Sequence, residues 1–187
     1  MNGRAAGFTL VELIVTILVL AVLSLIAAPS FIQFVDNRRL AGAAEAVKNG
    51  MQFARSEAFK RSRTTCFQLT PGADAQWLVV EEPSCSGFCG DADPDGCLMQ
   101  VRSADFPGVQ SSVDDDFGEA LEALFDPVRG TVRNFLETEP MQAWGKVTLT
   151  SARGKQLEVQ ISVMGRVEIC VPAGATGGPG LAYGDCL

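Results

Sequence analysis

Glu12 is the one carboxylate inside an apolar run that opens at Phe8-Thr-Leu-Val-Glu12, and no basic residue follows it until Arg38 and Arg39. A charge at the centre of a membrane span costs roughly 2.5–3.5 kcal/mol on insertion scales, so an acid there calls for a countercharge. Three sources are open: Arg4, another chain, or a new amine made by cutting the chain before Phe8. The third suits the residues best. The segment Met-Asn-Gly-Arg-Ala-Ala-Gly7 is short, has one positive charge and ends in glycine, and a cut between Gly7 and Phe8 would leave an amine four residues from Glu12, about one helical turn. A secretory signal loses its apolar core with the leader; here the apolar segment follows the junction and is kept.

Other chemistries are poorly supplied. The chain has no histidine, which removes the usual general base and the commonest metal ligand. No nucleophile–base constellation stands out among its Ser, Asp and Lys residues, so an extracytoplasmic enzyme is the weakest function class. The net charge of −7, or −8 without Arg4, argues against general affinity for nucleic acid or anionic lipid. Cys85, Cys89 and Cys97 have the spacing of a zinc site, but the absence of histidine and an oxidising location favour disulfides. Asp91, Asp93 and Asp95, followed by Gly96, copy the first half of an EF-hand loop; the twelfth position is Arg102, where a bidentate Glu belongs, so a plain turn is favoured. No metal and no cofactor are expected.

The elements that position these residues follow from periodicity. Phe8–Ala28 is 21 residues, enough to cross a bilayer core of about 20 residues. With Arg4 before it and the acidic bulk after it, the N-terminus is expected in the cytoplasm and the remainder outside. Beyond Pro29, Leu40, Ala44, Val47, Met51, Ala54 and Ala58 form one apolar stripe, and Phe53 is read as core too. Arg39, Glu45, Lys48, Asn49, Gln52, Arg55, Glu57 and Lys60 stand opposite as a water-facing side. One helix is therefore predicted from about Phe8 to Arg63. Short strands are predicted at 64–69, 76–81, 97–102, 109–113, 121–125, 146–150, 156–164 and 166–171, the last two turning at Met164-Gly165. Asp114–Asp116 and Gly174–Gly180 read as solvated loops. The fold class is α+β: a long N-terminal helix, its first half membrane-spanning, packed on a mainly antiparallel β-sheet domain.

Gly7-Phe8-Thr9-Leu10-Val11-Glu12, with Pro29 where a helix-bending proline belongs, resembles the junction of the type IV pilin and type II secretion pseudopilin superfamily. Gln52–Arg61 at the helix end, Cys66 on the following strand, and Gly165-Arg-Val-Glu-Ile-Cys170 before a lone Cys186 look like its GspH/FimT branch. The resemblance covers residues 7–69 well and about 145–187 moderately; 70–140 rests on pattern alone. It implies a leader at 1–7, a transmembrane helix at 8–29, an amphipathic continuation at 30–63 and a periplasmic domain at 64–187, single-pass in the bacterial inner membrane. It also implies cleavage after Gly7 by prepilin peptidase, N-methylation of Phe8, and Glu12 docking onto the amine of an adjacent protomer. The partners implied are other pilins or pseudopilins through the helix, the inner-membrane assembly platform and the lipid bilayer. The role implied is non-catalytic: a minor subunit that helps start or cap a type II secretion pseudopilus or a type IV pilus.

Some members of this branch bind DNA in natural transformation through Gly-Arg-x-Arg. Here that stretch is Gly165-Arg166-Val167-Glu168, a carboxylate replacing the second cation, with Arg153 and Lys155 as partial compensation. A DNA-binding pilin is thus the alternative reading, and nucleic acid is not the expected partner. Among the six cysteines, Cys170 and Cys186 are the favoured pair: their crosslink would be worth about 3 kcal/mol on chain-entropy grounds and would pin the tail. The pairing of Cys66, Cys85, Cys89 and Cys97 stays open.

Overall fold

The computed structural model describes residues 8–72, 76–81, 97–113, 121–134, 145–175 and 183–186. The chain divides into two compact units, Met1–Val35 and Asp36–Leu187. Helix α1, Leu10–Arg61, begins in the first and ends in the second. Thr9 caps its start, the hydroxyl accepting the Glu12 N–H at 3.2 Å. It ends at Arg61, two residues before the expected Arg63, because Ser62 takes a left-handed φ of 54°. That reversal lets the Arg63 N–H reach back to the Ala58 carbonyl at 3.3 Å, the six-to-one bond of a Schellman stop.

In the first unit every large apolar residue from Phe8 to Phe34 is at least 44% exposed. The hydroxyls of Thr16 and Ser24 donate to the carbonyls of Leu13 and Leu20, both at 2.7 Å, so each polar side chain is satisfied by its own helix.

The second unit is built on the other half of the helix. Leu40, Ala44, Val47, Met51, Ala54 and Ala58 are all fully buried, and Ala43 joins them. Among the described residues they pack with nine strands: β1 Thr65–Thr70, β2 Gln76–Glu81, β3 Cys97–Arg102, β4 Val109–Val113, β5 Leu121–Phe125, β6 Val132–Asn134, β7 Gly145–Ser151, β8 Gln156–Ile161 and β9 Val167–Cys170. These form a five-stranded sheet, β3-β2-β1-β5-β6, and a four-stranded sheet, β4-β7-β8-β9, with every pairing antiparallel. Inward residues of both sheets, among them Phe67, Leu69, Phe125, Leu149, Val159 and Ile161, close over the stripe as one core. Buried Thr65 donates its hydroxyl to the Ala54 carbonyl at 2.6 Å, fixing β1 to the helix.

The structure departs from the sequence reading at several points. Residues 132–134 form a strand that was not predicted, because three residues are too few to show alternation. The strand predicted at 156–164 stops at Ile161, where Ser162 and Arg166 close the hairpin through Ser162 N–H to the Arg166 carbonyl, 2.9 Å. Glu57, assigned to the water-facing side, is only 8% exposed. It is held by Lys60 Nζ at 2.9 Å and Arg61 Nε at 3.0 Å, one turn further on. The aspartates at 91, 93 and 95 and the loop 114–116 lie outside the described residues.

Gly50 is what lets β1 come this close: a Cβ there would lie 2.8 Å from Phe67 Cε2 and 3.1 Å from Met99 Cε. Alanine would gain about 1 kcal/mol of helix propensity but incur about 1–3 kcal/mol of overpacking. Gly50→Ala should therefore lower the denaturation midpoint, and less so in a Met99→Ala background, which clears one of the two clashes; chemical denaturation of the four chains measures this. The hydrogen bonds from Lys60, then Arg61, hold the Glu57 carboxyl below the ordinary glutamate range. A group depressed in the folded state adds stability above its unfolded pKa and loses it as pH falls through the folded one. Glu57→Gln should accordingly flatten the acid limb of the stability–pH curve between about pH 5 and 3 and leave the alkaline limb unchanged.

Candidate functional site

The N-terminal end of α1 brings together the residues with the clearest chemistry. Phe8 and Thr9 precede the helix, and Glu12 lies in its first turn among exposed Leu10, Val11, Leu13 and Ile14. An acid in the first turn is favoured by the N–H groups that the helix leaves unpaired there. Gly7 and Arg4 lie outside the described residues, so the junction itself is not part of the described structure. α1 has an apolar, unburied window long enough to cross a bilayer. Pro29 lies inside the helix without ending it, although its ring nitrogen has no proton for the carbonyl one turn back.

The second group is at the far end of the chain. Cys170, the last residue of β9, is disulfide-bonded to Cys186. The tail is laid against the strand beyond that point. Val171 N–H donates to the Gly184 carbonyl at 2.9 Å and its own carbonyl accepts from Cys186 N–H at 3.0 Å, forming a short parallel bridge. Tyr183 then donates its hydroxyl to Glu45 Oε1 of the helix at 3.2 Å. Burial, followed by the Glu45 charge, pushes the Tyr183 phenol above its ordinary pKa, so it stays protonated and donating.

The tail explains an unexpected burial on β8. Glu158 and Gln160 stand on the face opposite the core yet are only 8% and 3% exposed. The Glu158 carboxylate and the sulfurs of Cys170 and Cys186 lie within 4.8 Å of one another, and Gln160 Nε2 donates to Glu158 Oε1 at 2.6 Å. The disulfide roofs that face and the amide satisfies the acid beneath it. Because both sulfurs are spent on each other, this cluster has no thiolate to offer a metal.

Cys97 is also disulfide-bonded, which takes it out of the zinc alternative; Cys85 and Cys89 are outside the described residues, and Cys66 is fully buried in β1. Arg166 is ion-paired with Glu168 across one position of β9, and Lys155 Nζ donates to Asn37 Oδ1 at 2.6 Å. The sequence reading gave neither the Tyr183–Glu45 contact nor the Glu57 clamp. The second was legible from i, i+3 and i, i+4 spacing; the first joins residues 138 apart and leaves no local signal.

Comparisons with known proteins agree with this arrangement. The family described as type II transport protein GspH matches residues 43–165, and the prokaryotic N-terminal methylation motif matches residues 2–28. Among solved structures, the type IV minor pilin FimU of Pseudomonas aeruginosa superposes with a TM-score of 0.50 at 19% identity, covering 73% of this chain and 91% of that one. That likeness bears on the fold: one long helix packed on antiparallel sheets. No curated protein matches the chain. Since the GspH match spans more than half of the sequence and the methylation motif covers its N-terminus, the chain belongs to the GspH family of pilin-like proteins.

Proposed function

We propose that the chain is a non-catalytic minor pseudopilin or pilin subunit, cut after Gly7 by prepilin peptidase and N-methylated on Phe8, that helps initiate or cap a type II secretion pseudopilus or a type IV pilus. The observation that carries this is Glu12: a carboxylate in the first turn of a helix whose large apolar side chains are all exposed up to Phe34. Such a helix needs lipid before assembly and neighbouring helices after it. The acid needs a cation in both settings, and the amine released at Phe8, its own or an adjacent protomer's, supplies one. Anchored this way, the chain would sit in the inner membrane with the Asp36–Leu187 unit in the periplasm, engaging the assembly platform and other pilins through the helix.

The domain limits 1–7, 8–29, 30–63 and 64–187 belong to the same proposal, as leader, span, amphipathic continuation and periplasmic domain. A DNA-receptor role draws less support, because Glu168 neutralises the very arginine, Arg166, that would meet a phosphate.

Two variants separate processing from assembly. Glu12→Ala should leave cleavage at Gly7 intact, seen by the mass of the membrane-extracted chain, and abolish co-purification with filaments. An unpaired acid costing roughly 2.5–3.5 kcal/mol in lipid biases association by about a hundredfold, at about 1.4 kcal/mol per tenfold. Gly7→Val should block cleavage and leave the full leader attached. If both variants enter filaments like the parent chain, or if the working protein retains its initiator methionine, the proposal is wrong.

A further inference from the structure

Among the described residues of the Asp36–Leu187 unit, only three large apolar side chains are exposed: Phe59 at 47%, Val128 at 87% and Met164 at 66%. They come from three segments that meet at one place. Val128 sits on the turn closed by Gly130 N–H and the Asp126 carbonyl at 3.0 Å, and Met164 on the turn closed by Gly165 N–H and the Ser162 carbonyl at 2.7 Å. Val132 N–H donates to the Val163 carbonyl at 2.8 Å and so joins the bases of the two turns. Arg55 fastens them to the helix: its Nη1 donates to the Gly165 carbonyl at 3.1 Å, and its guanidinium lies 5.9 Å from the centre of the Phe59 ring. Gly130 and Gly165 both take a left-handed φ, 65° and 72°, and neither has room for a methyl group. A Cβ at Gly130 would lie 2.8 Å from Phe59 Cζ, and one at Gly165 would lie 3.1 Å from the Gly130 carbonyl oxygen. The three apolar tips therefore stand on one closely packed base.

Each tip is followed in the chain by a cation, in Phe59-Lys60-Arg61, Val128-Arg129 and Met164-Gly165-Arg166. Over the whole of segments 55–61, 126–133 and 162–168, Arg55 and Arg133 bring the cations to six, against the three acids Glu57, Asp126 and Glu168: a local charge of +3 in a chain of −7. The acids are engaged inside the face, Glu57 by Lys60 and Arg61, Asp126 by Arg133 and Glu168 by Arg166, so the surplus is what remains after internal pairing. Salt screens the acidic remainder of the chain over a Debye length of about 10 Å at 0.1 M, and an anion at this face meets the local charge more than the total.

We propose that this face docks on an anionic lipid surface, with Val128 and Met164 entering the edge of the acyl layer and the neighbouring cations at the level of the phosphates. An apolar tip with a cation beside it matches a layer whose hydrocarbon begins just beneath its charge, and the two attractions then add. A nucleic acid would meet the cations but offers the tips no apolar layer. The site goes beyond the assembly role proposed above: it is separate from Glu12 and depends neither on processing at Gly7 nor on filament docking.

The test holds the full chain by its apolar helix in nanodiscs of phosphatidylcholine and offers vesicles made of equal parts phosphatidylcholine and phosphatidylglycerol. The loaded discs should float with these vesicles at 0.1 M salt, and empty discs should not. Vesicles of phosphatidylcholine alone should fail to carry the chain, and 1 M salt, which shortens the screening length to about 3 Å, should release it. Val128→Asp and Met164→Asp should each weaken binding about tenfold, and Arg129→Ala about fivefold, the share of one cation near such a surface. Val128 and Met164 are exposed tips, so both variants should keep the parent denaturation midpoint. No flotation, flotation equal with neutral vesicles, or flotation indifferent to both aspartate variants would overturn the proposal. So would affinity for duplex DNA or a polyglutamate peptide that those variants weaken while vesicles stay unbound, since the face would then serve another partner.

Discussion

The Asp36–Leu187 unit depends on one packing constraint: two sheets must close over a single helical stripe. That stripe is mostly small, with Ala43, Ala44, Ala54 and Ala58 between Leu40, Val47 and Met51. Small residues let strands approach the helix axis closely, and the bulk needed to fill the core comes from the sheets, as Phe67, Phe125, Leu149, Leu157 and Ile161. Each such side chain is worth about 1.5–3 kcal/mol when taken out of water. Gly50 takes the arrangement to its limit, the Phe67 ring occupying the space of a missing methyl. The helix is accordingly the centre of the hydrophobic core, and both sheets depend on it for their buried faces.

The Met1–Val35 unit obeys the opposite rule. None of its large apolar side chains is buried, an exposure far beyond what a monomeric surface in water tolerates. Its polar groups follow the same logic: Thr16 and Ser24 turn back on their own carbonyls. Such a segment is complete as backbone and incomplete as surface. In the proposed function acyl tails or the helices of neighbouring subunits would complete it, and Glu12 would retain a need that neither of those apolar settings meets. Under that proposal, a helix able to exchange one apolar environment for another, with one fixed electrostatic demand, would be the physical basis for moving a subunit from membrane to filament.

Much of this was legible in the sequence because it rests on local periodicity. The stripe from Leu40 to Ala58 appears at alternating steps of three and four, and most strands carry the alternation that the sheets then show, as in β7, where every second residue from Gly145 to Ser151 is buried. What was missed depends on pairings distant in the chain. β6 exists because Asp126 organises a turn, its carboxylate accepting from Val128 and Arg129 N–H at 2.8 Å each, and because β5 offers an edge. Those same bonds, Arg129 first, hold the Asp126 carboxyl below its ordinary pKa. The residues of β8 alternate polar and apolar, as in a strand with one wet face, yet Glu158 and Gln160 are buried, and among the described residues the Cys170–Cys186 disulfide of the tail lies beside Glu158. At the N-terminus the type and spacing of Phe8 and Glu12 could be read directly, since the chemistry there is one helical turn long.

The tail also determines what the sheet edge can do. Exposed edge strands invite uncontrolled pairing, and proteins commonly cover or shorten them. Here β9 is only four residues long and its far end is capped by the bridge between Val171 and Asp185, locked by Cys170–Cys186. Ahead of that lock, Tyr183 donates its hydroxyl to Glu45 of the helix, so one short stretch of tail ties the end of β9 to α1 by a covalent bond on one side and a hydrogen bond on the other. A strand end held from two directions cannot fray, which is why so short an edge strand keeps its register on β8.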